Sequence, residues 1–461
     1  MSNGVDLIVR NGAVVTSDST FEADLAMGGG CFVEIAERGA LQSNAAEEID
    51  ASGLYVLPGV IDGHVHFREP GYEYKEDWTH GSTAAVMGGV TTVLDMPNVI
   101  PLTSTVENAL VKKEIAESKS YCDFGFFGVV LQENAHELVP MAEAGVVVGF
   151  KAFLGITIGA IPAPDDGVLL EAFEEVRKTG LRLGFHAENN DIMEHLIAKL
   201  KAEGRTDPWA HVESRPALAE VESIQRMGLF AHHVGTKVHI FHLSSKDGLD
   251  MIDEWRAKGV DYTTETGAHY CFLTSDHMNE LGSVLRMNPP VREPGHGDAL
   301  VDGLVDGRIQ AIATDHSPHT EEEKKNDDIW EAISGFAGVE NSLRLFLTYG
   351  VNAGRMTLQQ LVRATSEGPA KTWDMYPTKG AIQIGSDADL TIVDLNKVDT
   401  VEAARMHSKN NTNPFEGHET RGGAVTTIVR GAVVMNDGEL VGEPRGQMVK
   451  PVTAGAEKAL A

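Results

Sequence analysis

Residues 62–71 read Asp-Gly-His-Val-His-Phe-Arg-Glu-Pro-Gly, and they are the most informative stretch of the sequence. His64 and His66 stand two apart at the end of an apolar run that begins at Leu57. On a strand, residues i and i+2 point the same way, so the two imidazoles are aimed at one spot. A strand-borne metal site begins in this way. An isolated His-x-His is more often a pair of satisfied core histidines, and the choice turns on what accompanies it. Four more candidates close other apolar runs: Lys151 in Val-Gly-Phe-Lys-Ala-Phe-Leu-Gly, His186 in Gly-Phe-His-Ala-Glu-Asn, His242 in Ile-Phe-His-Leu-Ser-Ser, and Asp315 in Ala-Ile-Ala-Thr-Asp-His-Ser-Pro-His. The lysine is the odd member, because an ammonium beside metal cations is repelled and burial also disfavours its charge. Reaction with CO2 resolves the conflict: a carbamate is anionic and has two oxygens that can bridge two metals. A snorkelling lysine is the bland alternative. The apolar flanks, Val146 to Phe150 and Ala152 to Leu154, favour a buried strand instead.

Such a set needs a scaffold that brings many strand ends together. Apolar strand-like runs occur at 56–66, 90–97, 123–131, 147–154, 181–187, 237–243, 261–270 and 308–314. Helical candidates lie between them, for example at 104–117, 168–179, 191–203, 216–229 and 247–258. This alternation predicts an α/β fold, a (β/α)8 TIM barrel whose active site lies at the C-terminal strand ends. An open doubly wound sheet would carry a Gly-rich dinucleotide turn after its first strand, and none is present. The chain ends echo each other: Asp6-Leu-Ile-Val-Arg-Asn-Gly-Ala-Val-Val resembles Thr426-Thr-Ile-Val-Arg-Gly-Ala-Val-Val. We therefore expect a small β-sandwich domain built from residues 1–55 and 384–461, with the barrel at 56–383 between them.

Composition narrows the partners. Lys and Arg number 38 against 68 Asp and Glu, for a formal net charge of −30. So acidic a surface repels nucleic acid and anionic membranes, and neither is expected as a partner. No window resembles a membrane span, and the N-terminus lacks the features of a secretory signal. Three scattered cysteines, Cys31, Cys122 and Cys271, make no disulfide framework. A cytoplasmic location is expected.

With these residues in place the chain resembles the cyclic amidohydrolases: dihydroorotases, allantoinases, hydantoinases and dihydropyrimidinases. The resemblance runs over nearly the whole length, including Ser408-Lys-Asn-Asn-Thr-Asn-Pro-Phe-Glu-Gly near the end. It implies two zinc ions per subunit, one held by His64, His66, carboxylated Lys151 and Asp315, the other by Lys151, His186 and His242. It makes Asp315 the catalytic residue, which takes the proton of the attacking water and returns it to the leaving ring nitrogen. A homodimer or homotetramer is also implied. Gly335-Phe-Ala-Gly-Val-Glu is expected to be a mobile loop over the site, by its glycines and by analogy.

Ring preference must come from other positions. In dihydroorotases the residues matching Arg68, Asn98 and His319 hold the ring carboxylate, and Asn288 resembles a position whose main chain contacts the ring amide. An arginine fork suits a carboxylate through paired charge-assisted hydrogen bonds. Other features lean elsewhere. The segment around Lys151 looks more like allantoinases and hydantoinases, and the C-terminal third, including Trp330 and Tyr376-Pro-Thr-Lys-Gly, looks more like hydantoinases. The tyrosine that D-hydantoinases and dihydropyrimidinases place five residues after the lysine is Ile156 here. The clamp favours a carboxylated cyclic amide and dihydroorotase chemistry, L-dihydroorotate plus water interconverting with N-carbamoyl-L-aspartate. The alternative is a hydantoinase or allantoinase opening a related ring. A non-catalytic scaffold relative is the reading from another class, and the complete ligand set counts against it.

Overall fold

The computed structural model describes residues 4–155 and 161–452. Ile156 and residues 453–461 of the expected terminal domain lie outside them. The chain opens with β1 (Leu7–Val15), β2 (Thr20–Gly28), β3 (Cys31–Glu37), β4 (Glu47–Asp50) and β5 (Tyr55–Pro58). Eight strands follow: β6 (Val60–Val65), β7 (Val90–Asp95), β8 (Asp123–Val129), β9 (Gly149–Phe153), β10 (Leu183–His186), β11 (Val238–Ile240), β12 (Tyr262–Thr266) and β13 (Ala311–Ile312). The last four are β14 (Leu390–Thr400), β15 (Glu419–Val429), β16 (Ala432–Asn436) and β17 (Glu439–Leu440).

Strands β6 to β13 form one parallel sheet in sequence order. Closure comes from a parallel bridge between Val65 and His316, where the His66 amide donates to the His316 carbonyl at 2.8 Å. This is the expected barrel. Strands β6, β7 and β8 are buried along their whole length, as strands covered on both faces must be. Between strands run helices including Val106–Lys119, Asp166–Thr179, Asn190–Ala202 and Lys246–Ala257. Thr105, Asp165, Asn189 and Ser245 cap them, each side chain accepting a hydrogen bond from a first-turn amide. Trp373 fills the barrel interior from below, with its ring 4.6 Å from Phe127 and 5.7 Å from Phe241. Gly149 makes room for it, since a Cβ there would lie 2.7 Å from the indole.

The two chain ends form a second, nine-stranded sheet, ordered β17-β16-β15-β14-β5-β1-β2-β3 with β4 on β1. Its core includes Leu7, Val9, Leu25, Phe32, Leu390 and Ile428.

Four expected strands differ from those observed, the run 308–314 contracting to the two residues of β13. The run 56–66 is two strands: β5 pairs with β1 and β14 in the terminal sheet, and only β6 enters the barrel. The domain crossing therefore falls at Gly59, where a Cβ would meet the Thr91 hydroxyl at 2.2 Å. The run 261–270 ends at Thr266, and Ala268–Phe272 is a short helix. The ladder of β11 stops at Ile240, because His242 turns into the left-handed region at φ 42°. Among the described residues, no helix is long and apolar enough to cross a membrane.

Candidate functional site

At the C-terminal mouth of the barrel, a pocket is lined by His64, His66, Lys151, His186, His242 and Asp315. The six come from the ends of β6, β9, β10, β11 and β13, or from the residues just past them. His66 Nε2 lies 3.0 Å from Asp315 Oδ1, and His64 Nε2 lies 3.2 Å from the same oxygen. His186 Nδ1 and His242 Nε2 face each other at 2.9 Å. One donor atom from each of His64, His242 and Asp315 lies within 4.8 Å of the others. The Lys151 ammonium nitrogen sits 3.8 Å from the centroid of the Phe241 ring, with no ion pair among the described residues.

Two of the four convergent imidazoles, His64 and His186, have a carboxylate on their far side. His64 Nδ1 lies 2.7 Å from Glu265 Oε1, and His186 Nε2 lies 3.0 Å from Glu188 Oε2, which also pairs with Arg215. Outer carboxylates of this kind fix the ring orientation of metal-ligating histidines. The inner nitrogen of His64 is buried and, although Asp315 lies close, makes no hydrogen bond among the described residues, which is costly unless a ligand satisfies it. The protonation states suit cations as well. Burial holds His64 and His242 well below the ordinary imidazole range, leaving both neutral. Burial also brings Lys151 down to about 7, so much of it is free amine at neutral pH. For Asp315, burial pushes the carboxyl up, but His64 and His66 outweigh it and hold the group well below its usual range. The donor set therefore fits two divalent cations with nitrogen and oxygen ligands.

Three residues at this mouth have left-handed backbones: Arg68 at φ 64°, His242 at φ 42° and Asp315 at φ 49°. Such conformations cost free energy for non-glycine residues and cluster at functional sites. Each re-aims a side chain just past its strand.

The four expected ring-contact residues divide. Arg68, Asn98 and Asn288 line the pocket. Arg68 is buried with no carboxylate in salt-bridge contact among the described residues, and the buried Asn98 carbonyl oxygen has no partner. The Asn288 side chain accepts from the Ser334 hydroxyl at 3.0 Å. His319 stands behind the wall, with its Nε2 3.1 Å from Arg68 Nη2. The Gly335 segment packs as part of the wall: Phe336, Ala337 and Val339 are buried, and Gly338 and Val339 amides donate to His316 Nδ1 at 3.1 and 3.3 Å. Sequence reasoning missed Phe153, Met287, Ser317 and Ser334 on the wall and Glu265 and Glu188 behind it. Two carried a readable signal, since Glu188 and Ser317 each stand two residues past a candidate ligand.

Comparison with known proteins agrees with this geometry. Residues 55–434 match the amidohydrolase family. An L-hydantoinase of Paenarthrobacter aurescens is 36% identical over 449 residues, covering 96% of this chain and 98% of that protein. An allantoinase of Solibacter usitatus is 36% identical over 448 residues, covering 97% of each. The solved L-hydantoinase (dihydropyrimidinase) from Arthrobacter aurescens superposes with a TM-score of 0.94 at 36% identity, over 97% of this chain and all of that one. Barrel, mouth and full-length similarity lead to one conclusion: this chain belongs to the amidohydrolase family.

Proposed function

We infer that this chain is a two-metal hydrolase opening a five-membered cyclic ureide of the hydantoin or allantoin type, with a polar substituent on the ring. Hydrolysis of a cyclic amide is the chemistry its relatives' names carry, and those names are hydantoinase and allantoinase. The dihydroorotase preference drawn from the clamp thus gives way to its alternative. The observation that carries our reading is the convergence of six metal-suited donors beside a buried Arg68 that has no carboxylate in salt-bridge contact among the described residues.

His64, His66, Lys151 and Asp315 would hold one ion, and Lys151, His186 and His242 the other; zinc is the metal we propose. Bound ions of this type lower the pKa of water to about 7 and polarise a carbonyl. The chain's own groups do the rest. The free amine of Lys151 adds to CO2 and releases a proton, leaving a carbamate. Asp315 accepts a proton from the attacking water. It then delivers that proton to the ring nitrogen as the C–N bond breaks, and the former ring carbonyl becomes a carboxylic acid that releases its proton to solvent. Arg68 and Asn98 face the substituent, and Asn288 faces the ring amide. Phe153 and Met287 supply the apolar part of the wall.

The deciding experiment is a hydrolysis panel on zinc-loaded protein prepared with bicarbonate. Its substrates are allantoin, hydantoin-5-acetate, 5-benzylhydantoin, dihydrouracil and L-dihydroorotate. Highest kcat/KM on a five-membered ring with a polar substituent is the expected result. Preference for 5-benzylhydantoin or dihydrouracil would overturn the substituent assignment, and no turnover at all would leave the scaffold reading.

A further inference from the structure

Inside the barrel, three buried polar atoms from three elements come together without pairing. They are Glu265 Oε2 on β12, His239 Nε2 on β11 and Trp373 Nε1, just past the short helix Gly368–Thr372. None makes a hydrogen bond among the described residues, and the three side chains are at most 1% exposed. Oε2 and Nε2 lie 3.3 Å apart, and the His239 and Trp373 rings are 4.9 Å apart. The other ends of the acid and the imidazole are engaged. Glu265 Oε1 is 2.7 Å from His64 Nδ1, and His239 Nδ1 is 2.9 Å from Thr263 Oγ1.

Gly63 of β6 opens a space at this point. A Cβ built on it would lie 3.3 Å from Glu265 Oε2 and 3.4 Å from Trp373 Nε1. Apart from the chain neighbours of Gly63, the next atom is Trp373 Cδ1 at 4.0 Å. The missing side chain thus leaves a small polar space between two of the orphaned atoms, with the third beside Oε2. Unpaired buried polar groups are costly, and protein interiors relieve that cost with ordered water making about three hydrogen bonds. The chemistry of the three atoms selects the occupant. A cation would meet the Trp373 N–H, which is a donor only, and an anion would meet the Glu265 carboxyl. Water has two hydrogens and two lone pairs. It accepts from Trp373 and serves Oε2 and Nε2 whichever of the two carries a hydrogen.

We propose that one buried water sits beside Gly63, bonded to Glu265 Oε2, His239 Nε2 and Trp373 Nε1, and locks the Glu265 carboxyl against His64. With Oε2 held, Oε1 stays on His64 Nδ1 and the other ring nitrogen stays aimed at the mouth. His239 and Trp373 are then positioning residues for the metal that His64 would ligate, acting through the water and Glu265. This rests on the two-metal reading above.

The direct test is a crystal structure of the zinc-loaded protein at a resolution that shows ordered water. We expect one peak within about 3.2 Å of all three atoms. No such peak, or a direct Glu265–His239 bond with Trp373 Nε1 still alone, would overturn the inference. Two substitutions test the role. Gly63→Ala fills the space with a methyl group, whereas Gly63→Ser brings a hydroxyl that takes the place of the water. Both add the same Cβ beside His64, so crowding or backbone strain would harm the larger serine at least as much. We expect the reverse. Measured by chelator competition, Gly63→Ala binds zinc about tenfold more weakly than the wild type, and Gly63→Ser stays within about threefold of it. Equal losses in the two variants, or no loss in the alanine variant, would remove the positioning role. Thermal melts check that both fold. If Gly63→Ala does not, Trp373→Phe takes its place, because it removes the N–H and adds nothing near His64; the same loss is expected. Failure of the two-metal reading looks different: the wild type would bind no zinc, and the peak beside Gly63 would still decide the water.

Discussion

At the scale of single residues, Lys151 is the hinge of the site's chemistry. It is a buried lysine with no counter-ion among the described residues, brought to about 7 by burial. Lys151→Ala should therefore lose bound metal, read by elemental analysis, together with nearly all turnover; full activity would refute the bridging role. Restoring CO2 to bicarbonate-depleted wild type should restore activity and leave this variant inert. Asp315→Asn should keep the fold but lose roughly 10²–10⁴-fold in kcat, the range for removal of a positioned acid–base group. Arg68→Ala should raise KM for hydantoin-5-acetate about tenfold or more and spare metal content, because on our reading the guanidinium pairs with the ring substituent while it has no ion pair or hydrogen bond to a candidate ligand among the described residues. Equal kcat/KM for the variant and the wild type would remove Arg68 from the clamp.

At the scale of elements, β6, β9, β10, β11 and β13 each bring a candidate ligand to the mouth, and β12 supplies a carboxylate that holds one of them. Glu265 near the end of β12 reaches across to His64 at 2.7 Å, and on its other side Oε2 lies 3.3 Å from His239 Nε2. Glu265→Gln should weaken metal binding by about 10–100-fold while circular dichroism stays unchanged, as expected for an orienting carboxylate. Undiminished metal affinity would make Glu265 a packing residue only. The strands were legible in the sequence because fully buried parallel strands read as continuous apolar runs. Their ends were less so. Gly59 divides one apolar run between two sheets because of a contact with Thr91, and that contact exists only after β7 is in place.

At the scale of the whole molecule, the terminal sheet is tied to the base of the barrel by a buried charge cluster. Lys379 Nζ pairs with Asp123 at the start of β8, with Asp387 at 2.9 Å and with Asp389 at 2.7 Å, while Arg430 also engages Asp123. Lys379→Met would leave buried carboxylates unpaired and should destabilise the fold by about 3–5 kcal/mol, read as a shift in the urea midpoint. A second tie lies at the mouth. Glu76 accepts from the amides of Asp77 and Lys409 and lies 3.4 Å from His316. Burial raises its carboxyl to about 8. The folded state then binds a proton that the unfolded chain has lost, so this group's contribution favours folding at low pH. The contribution falls as pH rises from the unfolded value to about 8, at a slope of at most about 1.4 kcal/mol per unit. Glu76→Gln should flatten that part of the stability profile, measured by melting temperature between the two limits; an unchanged slope would remove Glu76 as its source.

The amino-acid sequence by itself determined the barrel, the terminal sheet and the six converging donors. Those follow from local patterns: apolar runs that must be buried, a period of two along a strand, and polar residues where each run stops. Only the tertiary structure decided how the groups around them share work. Glu265 is 201 residues from the His64 ring it orients. His319 was readable as a polar residue near the mouth, yet its place behind Arg68 depends on how the loop after β13 packs against the one after β6. The dihydroorotase preference rested on three side chains treated as one clamp, and in the folded protein two of them line the pocket while the third stands behind it. Strand ends are set by nearest neighbours in the chain. Pocket walls are set by neighbours in space, because loops from distant segments must pack against one another before a wall exists.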